Sequence, residues 1–561
     1  MLVFSGAGKT TLMNVLAHRN CRGYDIEGSV SVNRVHLGND ITTLSAYVQQ
    51  DDLFMGTLTV EEHLNFQAML RLPSHYTVRE KLKRADAVLW ELGLTDCRNT
   101  LIGQPGQITG ISGGERKRLA FASEALMNPA IFFCDEPTTG LDSFMADQLT
   151  LFLKKMASRG KIIICTIHQP PSEVFAHFDL VYLLGEGRAI FYGSAKEALS
   201  FFAASDFHCP SNFNPADFFL QTLAILPGEE DACRQRVEQL ALLFHKQRSN
   251  GLVAAADERQ NELPLLPQLT TSTAGVRPRR YRASWSLQFF ALLWRASLFS
   301  WRNKRISIIR LCQKAIMGLL LGLLWYQTVI DQTGVQNVNG ALFFLLTYIA
   351  TPSVMLILRF LPAEFPVLAR EHHSGMYSVA SYYCSKIVSY VPLFSLDGIL
   401  FVLIAYFLIG LNPSASSVFF LLLIAFLVEQ TSAAFGTMLS VLAPSYPAAV
   451  SMAAPLLTVV RLTSGLLANV AAMPAYISWI QYISWWRYGY EAVLINQWRS
   501  YDRIACEYPE VACLKNGTDV LQEKGFAVQY FSRDLIMEVL LMTVFYLVGY
   551  FVLCIKVHRS R

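Results

Sequence analysis

Apolar positions follow two patterns along this chain. Up to about residue 227 they come as short runs separated by polar, helix-period stretches, the pattern of an α/β domain. From residue 306 onward they come as long runs that need a bilayer as solvent. In the first region 131–134 (IFFC) and 161–167 (KIIICTI) read as buried strands. Residues 12–19, 61–72, 79–92 and 116–127 read as helices, and 178–184 with 187–192 as a hairpin that closes the sheet.

In the second region six stretches, 306–328, 340–361, 383–411, 416–442, 448–470 and 535–555, are long enough to cross a bilayer, which takes about 20 apolar residues. An even count returns both ends to one side. Arg302, Lys304, Arg305 and Arg310 stand at the first span, Arg370 between the second and third, and Lys556, His558, Arg559 and Arg561 after the last. This bias puts both ends in the cytosol. Residues 285–305 form an amphipathic, Arg- and Trp-bearing helix suited to the inner interface. The Trp- and Tyr-rich stretch 473–498 suits a re-entrant or interfacial segment.

Between the regions, 228–283 is expected to be a linker: a polar helix at 231–248, then a stretch without periodicity around Pro264, Pro267 and Pro278. Its end, with Arg277, Arg279, Arg280 and Arg282, could touch anionic headgroups.

Composition agrees. With 53% hydrophobic and 16% charged residues, the 561-residue chain reads as an integral membrane protein with one soluble part. A net charge of +4 is too small to argue for nucleic acid. Most of the eleven cysteines fit reduced thiols, whereas Cys506 and Cys513 lie beside the sequon Asn516-Gly517-Thr518. Together these predict a lumenal or extracellular loop with a disulfide and a glycan at Asn516. No cleavable signal peptide is visible, so the soluble part is expected to be cytosolic.

The candidate chemistry is phosphoryl transfer. Ser112-Gly113-Gly114-Glu115 stands just before a helical run, so its glycines and the helix N-terminus can face an anion. Alone it would be only a turn before a helix. The strand at 131–134 ends in Asp135-Glu136, one carboxylate suited to Mg²⁺ and the next to the attacking water. Gly6-Ala7-Gly8-Lys9-Thr10-Thr11 opens a helix as the back half of a phosphate-binding loop, with Lys9 for the β- and γ-phosphates and Thr10 for Mg²⁺. The strand at 161–167 ends in His168, aimed at the γ-phosphate.

In this order, GAGKTT, YVQQDD, SGGERKR, CDEPTTGLD and TIHQP resemble the nucleotide-binding domain of ABC transporters, and SGGERKR with the domain order resembles the G subfamily of half-transporters. AYVQQDDLF, RKRLAFASEAL and NPADF are similar to its eye-pigment-precursor branch. The resemblance implies an α/β P-loop ATPase domain at 1–227, followed by an all-α six-helix transmembrane domain at 284–561 with a connecting helix at 285–305. It makes Gln50 the Q-loop residue and a Mg²⁺ contact, Ser112 to Glu115 the signature, and Asp135 the Walker B aspartate. Glu136 becomes the catalytic carboxylate, Asp142 the D-loop residue and His168 the switch histidine. ATP and Mg²⁺ are the implied cofactors. Where the loop pattern needs a glycine five residues before Gly8 the chain has Val3, with no room expected for the strand that should precede the loop, so the domain is expected to be N-terminally incomplete.

Within the spans, Asp397, Glu429 and Arg461 each cost about 2.5–3.5 kcal/mol if unpaired, so they should face the bundle interior or one another, as structural pairs or as substrate contacts. Leu466 and Leu467 resemble the family's plug above the substrate cavity, and Phe343, Phe344, Thr347 and Thr458 match its lining. Arg461 beside them would favour flat, polar or anionic aromatic ligands. The family resemblance implies export of small aromatic pigment precursors, derived from tryptophan or guanine, by a dimer with a second G-subfamily half-transporter, a heterodimer in preference to a homodimer. The membrane would be that of a pigment granule or endosome, or the plasma membrane. A sterol, lipid or xenobiotic exporter and a non-hydrolysing regulatory subunit are the alternatives.

Overall fold

A computed structural model describes residues 2–3, 8–19, 24–33, 35–50, 53–104, 108–247, 281–467, 473–505 and 513–560. Its contacts divide it into two units, Met1–Ala283 and Ser284–Arg561.

The first unit holds strands β1 (Leu2–Val3), β2 (Ser31–Val32), β3 (Val35–His36), β4 (Ser45–Val48), β5 (Ile131–Asp135), β6 (Ile162–Thr166), β7 (Val181–Gly185) and β8 (Arg188–Gly193). Its helices are α1 (Lys9–Leu16), α2 (Ile41–Leu44), α3 (Val60–Arg71), α4 (Val78–Glu91), α5 (Gly113–Ala125), α6 (Ser143–Ser158), α7 (Ser172–Phe175), α8 (Ala195–Ala203), α9 (Pro215–Leu223) and α10 (Glu230–Gln247). Strands β4, β5 and β6 form a parallel sheet with β5 in the middle. All of β5 is buried, which is why its sequence is an unbroken apolar run with a carboxylate only at the end. In a second sheet, β7 and β8 form the expected antiparallel hairpin and β1 pairs in parallel with β7. A strand therefore does precede the phosphate loop, with Leu2 and Val3 in the ladder beside Leu183 and Leu184.

Met13 of α1 packs with Ile41, Tyr47, Ile131 and Phe133, which fixes the helix over the β4–β5 sheet. Phe191, Phe201, Phe202 and Phe219 join β8, α8 and α9 into a second core, which also takes in Val237, Leu240 and Ala241 of α10. The expected linker at 228–283 is thus corrected: its first helix is packed because three apolar residues at helical spacing share one face. Residues 248–280, including Arg277, Arg279 and Arg280, lie outside the described residues. A cavity of about 570 Å³ separates β6 from β7, lined by Ile162, Ile164, Cys165, Leu180 and Tyr182 among others.

The second unit consists of helices α11 (Trp285–Arg302), α12 (Lys304–Leu324), α13 (Gln332–His373), α14 (Val379–Ile409), α15 (Ala415–Leu442), α16 (Tyr446–Leu462), α17 (Ala475–Ser478), α18 (Trp485–Trp498), α19 (Gly517–Glu523) and α20 (Phe531–Arg559). Among the described residues, five helices carry stretches long and apolar enough to cross a membrane: Ser307–Leu324, Gln332–Arg359, Val379–Ile409, Ala415–Leu442 and Val528–Arg559. The fifth expected span, 448–470, holds α16, an apolar helix of 17 residues and thus shorter than the other five. It stops because Thr463 and Ser464 lead into Gly465, whose φ of +100° is a backbone that glycine adopts cheaply. Conversely, the span expected at 340–361 is part of α13, which has 42 residues, is capped by Asp331 through Gly334 N at 2.6 Å, and runs on through Pro352, Pro362 and Pro366.

Helix α18 carries the largest buried side chains of the unit. Trp485, Trp486, Tyr490 and Trp498 are fully buried, Trp485 Nε1 donates to Ser432 Oγ at 2.9 Å and Trp498 Nε1 to Asn339 Oδ1 at 2.8 Å. The aromatic residues of 473–498 that are truly exposed, Tyr476, Trp479 and Tyr482, precede this helix. A buried indole is tolerated when its N–H finds a partner, as those of Trp485 and Trp498 do, so α18 acts as a core helix.

Candidate functional site

The end of β5 gathers the first unit's polar chemistry. Gly8, with a φ of +91°, turns the chain into α1, and Lys9 at the start of α1 is buried with its Nζ 3.3 Å from Glu136 Oε1. Thr10 Oγ1 donates to Asp135 Oδ1 at 3.3 Å. Gln50, just beyond β4, donates from Nε2 to Glu136 Oε2 at 2.8 Å, and Thr139 Oγ1 donates to the same oxygen at 3.1 Å. Lys9, Thr10, Gln50, Asp135 and Glu136 are therefore brought together although 127 positions separate the first from the last in the sequence numbering. Glu136 adopts a left-handed backbone, φ +44°, as does Gln169, φ +45°. Such backbone costs on the order of 1–3 kcal/mol in a non-glycine residue and is kept where the surrounding structure fixes it.

Three residues that the motifs did not single out hold this cluster. Thr166, in register with Asp135, donates from Oγ1 to Asp135 Oδ1 at 2.6 Å and accepts from Glu136 N at 2.9 Å. Tyr47 donates to Asp135 Oδ2 at 3.3 Å, and burial, then the Asp135 carboxylate, pushes its phenol well above its ordinary pKa. Lys117 of α5 donates to the carbonyl of Gln50 at 2.6 Å, which ties the helix behind the SGGE turn to the Gln50 loop. The sequence signals for them were their places inside quoted motifs: Thr166 in TIHQP, Tyr47 in YVQQDD and Lys117 in SGGERKR.

Ser112 caps α5: its Oγ accepts from Glu115 N at 3.3 Å and Glu115 Oε2 accepts from Ser112 N at 2.8 Å. Burial pushes the Glu115 carboxyl up, but these hydrogen bonds outweigh it and leave its pKa below the ordinary value. Gly114 packs directly on the end of the Met145 side chain, which a side chain at this position would have to push aside. Ser112 and Gly113 themselves are exposed, and so are Asp142, which caps α6 through Met145 N at 2.8 Å, and His168. Among the described residues no hydrogen bond joins Ser112, Asp142 or His168 to the Lys9–Glu136 cluster. Thr11 is exposed on α1, and Gly6 lies outside the described residues.

The donor set fits a magnesium–nucleotide substrate. A hydroxyl (Thr10), an amide (Gln50) and a carboxylate (Asp135) are hard oxygen donors of the kind Mg²⁺ takes while keeping phosphates and waters. Among the described residues no three His, Cys, Asp or Glu side chains gather as a metal site.

In the second unit the acids Asp397 and Glu429 are buried in the bundle interior, one of the two expected arrangements, and do not pair with Arg461. Asp397 accepts from Arg310 Nη2 at 2.6 Å, and Glu429 accepts from Ser353 Oγ at 3.1 Å and packs against Gly398. Lys314, missed in the sequence, is buried and donates to the Tyr348 carbonyl at 3.2 Å. The half-exposed Arg461 bonds from Nε to its own helix at Leu457 O, 3.2 Å. The expected cavity residues divide. Phe343 and Leu466 pack against the core, Thr347 Oγ1 is buried, and Phe344, Thr458 and Leu467 are exposed. Cys513 is disulfide-bonded and Cys506 lies outside the described residues. Asn516 caps α19, its Oδ1 accepting from Asp519 N at 2.8 Å and Thr518 Oγ1 at 2.6 Å.

At the start of the second unit, Arg295 of α11 donates from Nη1 to both oxygens of Glu371 at the end of α13, 2.8 and 2.9 Å, and Tyr377 donates to Glu371 at 2.5 Å. All three are buried. Burial lowers the Arg295 pKa, and Glu371 and Tyr377 more than restore it.

A P-loop ATPase unit in the same chain as a unit of long apolar helices defines an ATP-driven membrane transporter. Residues 4–139 match the family described as ABC transporter and residues 287–498 that described as ABC-2 type transporter. Protein white of Ceratitis capitata is 40% identical over 564 residues, covering 99% of this chain and 82% of that protein. Protein scarlet of Drosophila melanogaster is 37% identical over 558 residues, 98% and 83% of the two chains. The broad substrate specificity ATP-binding cassette transporter ABCG2 of Bos taurus is 36% identical over 522 residues, 88% and 77%. The chain belongs to the ABC transporters, as a White-like half-transporter of the G subfamily. It is a multi-pass membrane protein with a cytosolic nucleotide domain that binds ATP, couples its hydrolysis to transport, and works as a dimer.

Proposed function

We propose that this half-transporter moves small aromatic metabolites of the pigment-precursor kind, derived from tryptophan or guanine, across a granule or endosomal membrane. It does so as one half of a heterodimer. The observation that supports this reading is the likeness to the pigment-precursor branch of the G subfamily along nearly the whole chain.

In this reading Lys9 and the N-terminus of α1, with Gly6 and Gly8 leaving room for backbone N–H groups, bind the β- and γ-phosphates. Thr10, Gln50 and Asp135 hold Mg²⁺, which would neutralise charge on the phosphate oxygens. Glu136, held by Gln50 and Thr139, orients the attacking water, and His168 contacts the γ-phosphate. The SGGE turn of one protomer, exposed at Ser112 and Gly113, serves with its helix N-terminus the nucleotide of the other, and Asp142 takes part in the same exchange. Phe344, Thr458 and Arg461, with Leu466 and Leu467 beyond, meet the cargo. Asn516 carries a glycan and Cys506 pairs with Cys513.

The test is ATP hydrolysis by the purified chain in lipid, alone and with a second half-transporter, beside a Glu136→Gln control. Stimulation by tryptophan- or guanine-derived aromatics, only with the partner present, is the expected result. Stimulation by sterols in the chain alone would overturn the substrate class and the heterodimer together.

A further inference from the structure

Cys134 and Cys165 lie directly opposite each other on β5 and β6, and the next rung of the same ladder is Asp135 opposite Thr166. Neither is in a disulfide, and the two thiols are hydrogen-bonded to each other. Cys134 is fully buried, while Cys165 lines the cavity between β6 and β7, which a small oxidant can reach. Neighbouring strands lie about 4.8 Å apart, inside the Cα separation that a disulfide spans, but its Cβ atoms must approach to about 3.8 Å. Bridging the two sulfurs therefore draws β5 and β6 together by about 1 Å at this rung. The adjoining rung cannot absorb that shift freely, because Thr166 holds Asp135 at 2.6 Å and the Glu136 amide at 2.9 Å.

We propose that Cys134 and Cys165 form a thiol-oxidation site in which a hydroperoxide closes a reversible cross-strand disulfide and switches off the adjoining hydrolytic centre. The consequence for hydrolysis rests on the reading of Asp135 and Glu136 given above; the disulfide itself does not. The Cys165 sulfur attacks the outer peroxide oxygen, breaking the O–O bond and leaving a sulfenic acid, while an alcohol (water, for hydrogen peroxide) departs with the proton. The Cys134 sulfur then attacks the sulfenic sulfur, forming S–S and breaking S–O, and water leaves. Two thiols lose two electrons and the peroxide gains them. A dithiol reductant reverses the step, as befits a transient cytosolic disulfide.

The test exposes the full-length chain, assembled with a second half-transporter in lipid, to hydrogen peroxide and reads two quantities: the Cys134–Cys165 linked peptide by mass spectrometry, and ATP hydrolysis before and after dithiothreitol. The linked peptide should appear and hydrolysis should fall by about tenfold or more, as for loss of groups that position a metal ligand, and return on reduction. Cys165→Ala, and Cys165→Ser should the first variant fold poorly, should neither form the peptide nor lose activity. Absence of the linked peptide, a loss of activity that persists in both variants, or a linked peptide with undiminished hydrolysis overturns the switch. The peptide readout does not need a working ATPase, so a chain inactive in every state would count against the reading of its site while still deciding whether the disulfide forms.

Discussion

Glu136 shows how closely the nucleotide site depends on single atoms. Its two oxygens face Lys9, Gln50 and Thr139, so an amide of the same shape keeps most of these contacts while losing the charge that orients water. Glu136→Gln should lower ATP hydrolysis by about 10²–10⁴-fold while a fluorescent ATP analogue still binds. Binding lost in parallel would mean that the carboxylate is structural. Thr166 acts through Asp135 and the Glu136 amide, so Thr166→Val should cost about 10–100-fold in hydrolysis and raise the Mg²⁺ concentration needed, with Thr166→Ser restoring both. The difference between these two residues also separates what was legible in the sequence. Lys9, Thr10, Asp135 and Glu136 sit in short local motifs whose chemistry needs no fold to be read. Thr166, Tyr47 and Lys117 acquire their roles only through strand register and helix docking, which bring together residues far apart in the chain.

At the scale of elements, the cap of α5 carries a pH signature. The Glu115 carboxyl titrates below its ordinary range, so its charge contributes stability that is fully present above about pH 4.3 and fades as the pH falls through the lower, folded value. Glu115→Gln should melt earlier than the parent chain at neutral pH and converge with it in acid; parallel melting curves at every pH would refute the charged cap. A second element-level tie is Arg295 with Glu371. Removing one partner of a buried pair leaves an uncompensated charge and costs about 3–5 kcal/mol, whereas replacing both by apolar residues is often near neutral. Arg295→Met and Glu371→Met should each destabilise strongly and the double variant much less, as read by thermal melting of the purified chain. Helices were legible where length and apolar content decide, as in α14 and α15. They were not where local signals mislead. Three prolines would ordinarily end a helix, yet α13 passes through all of them, and α16 ends at a threonine–serine–glycine turn inside what reads as one apolar run.

For the whole molecule the decisive feature is that Ser112 and Gly113 are exposed and make no hydrogen bond to the Lys9–Glu136 cluster of their own chain among the described residues. A helix N-terminus can cap a phosphate only at contact range, and in the proposed dimer this exposed turn caps the γ-phosphate of the nucleotide held by the other protomer. That geometry predicts an asymmetric pattern in a heterodimer. Lys9→Met should abolish labelling of this chain by a photoreactive azido-ATP and leave the partner labelled. Ser112→Arg should spare ATP binding by this chain's own loop but prevent trapping of nucleotide on the partner, because the bulky cation removes the cap from the partner's γ-phosphate. Labelling of the two chains after separation measures both effects in one experiment. Loss of trapping on this chain alone in Ser112→Arg would mean that the turn acts within its own protomer, and the shared-site arrangement would fall with it.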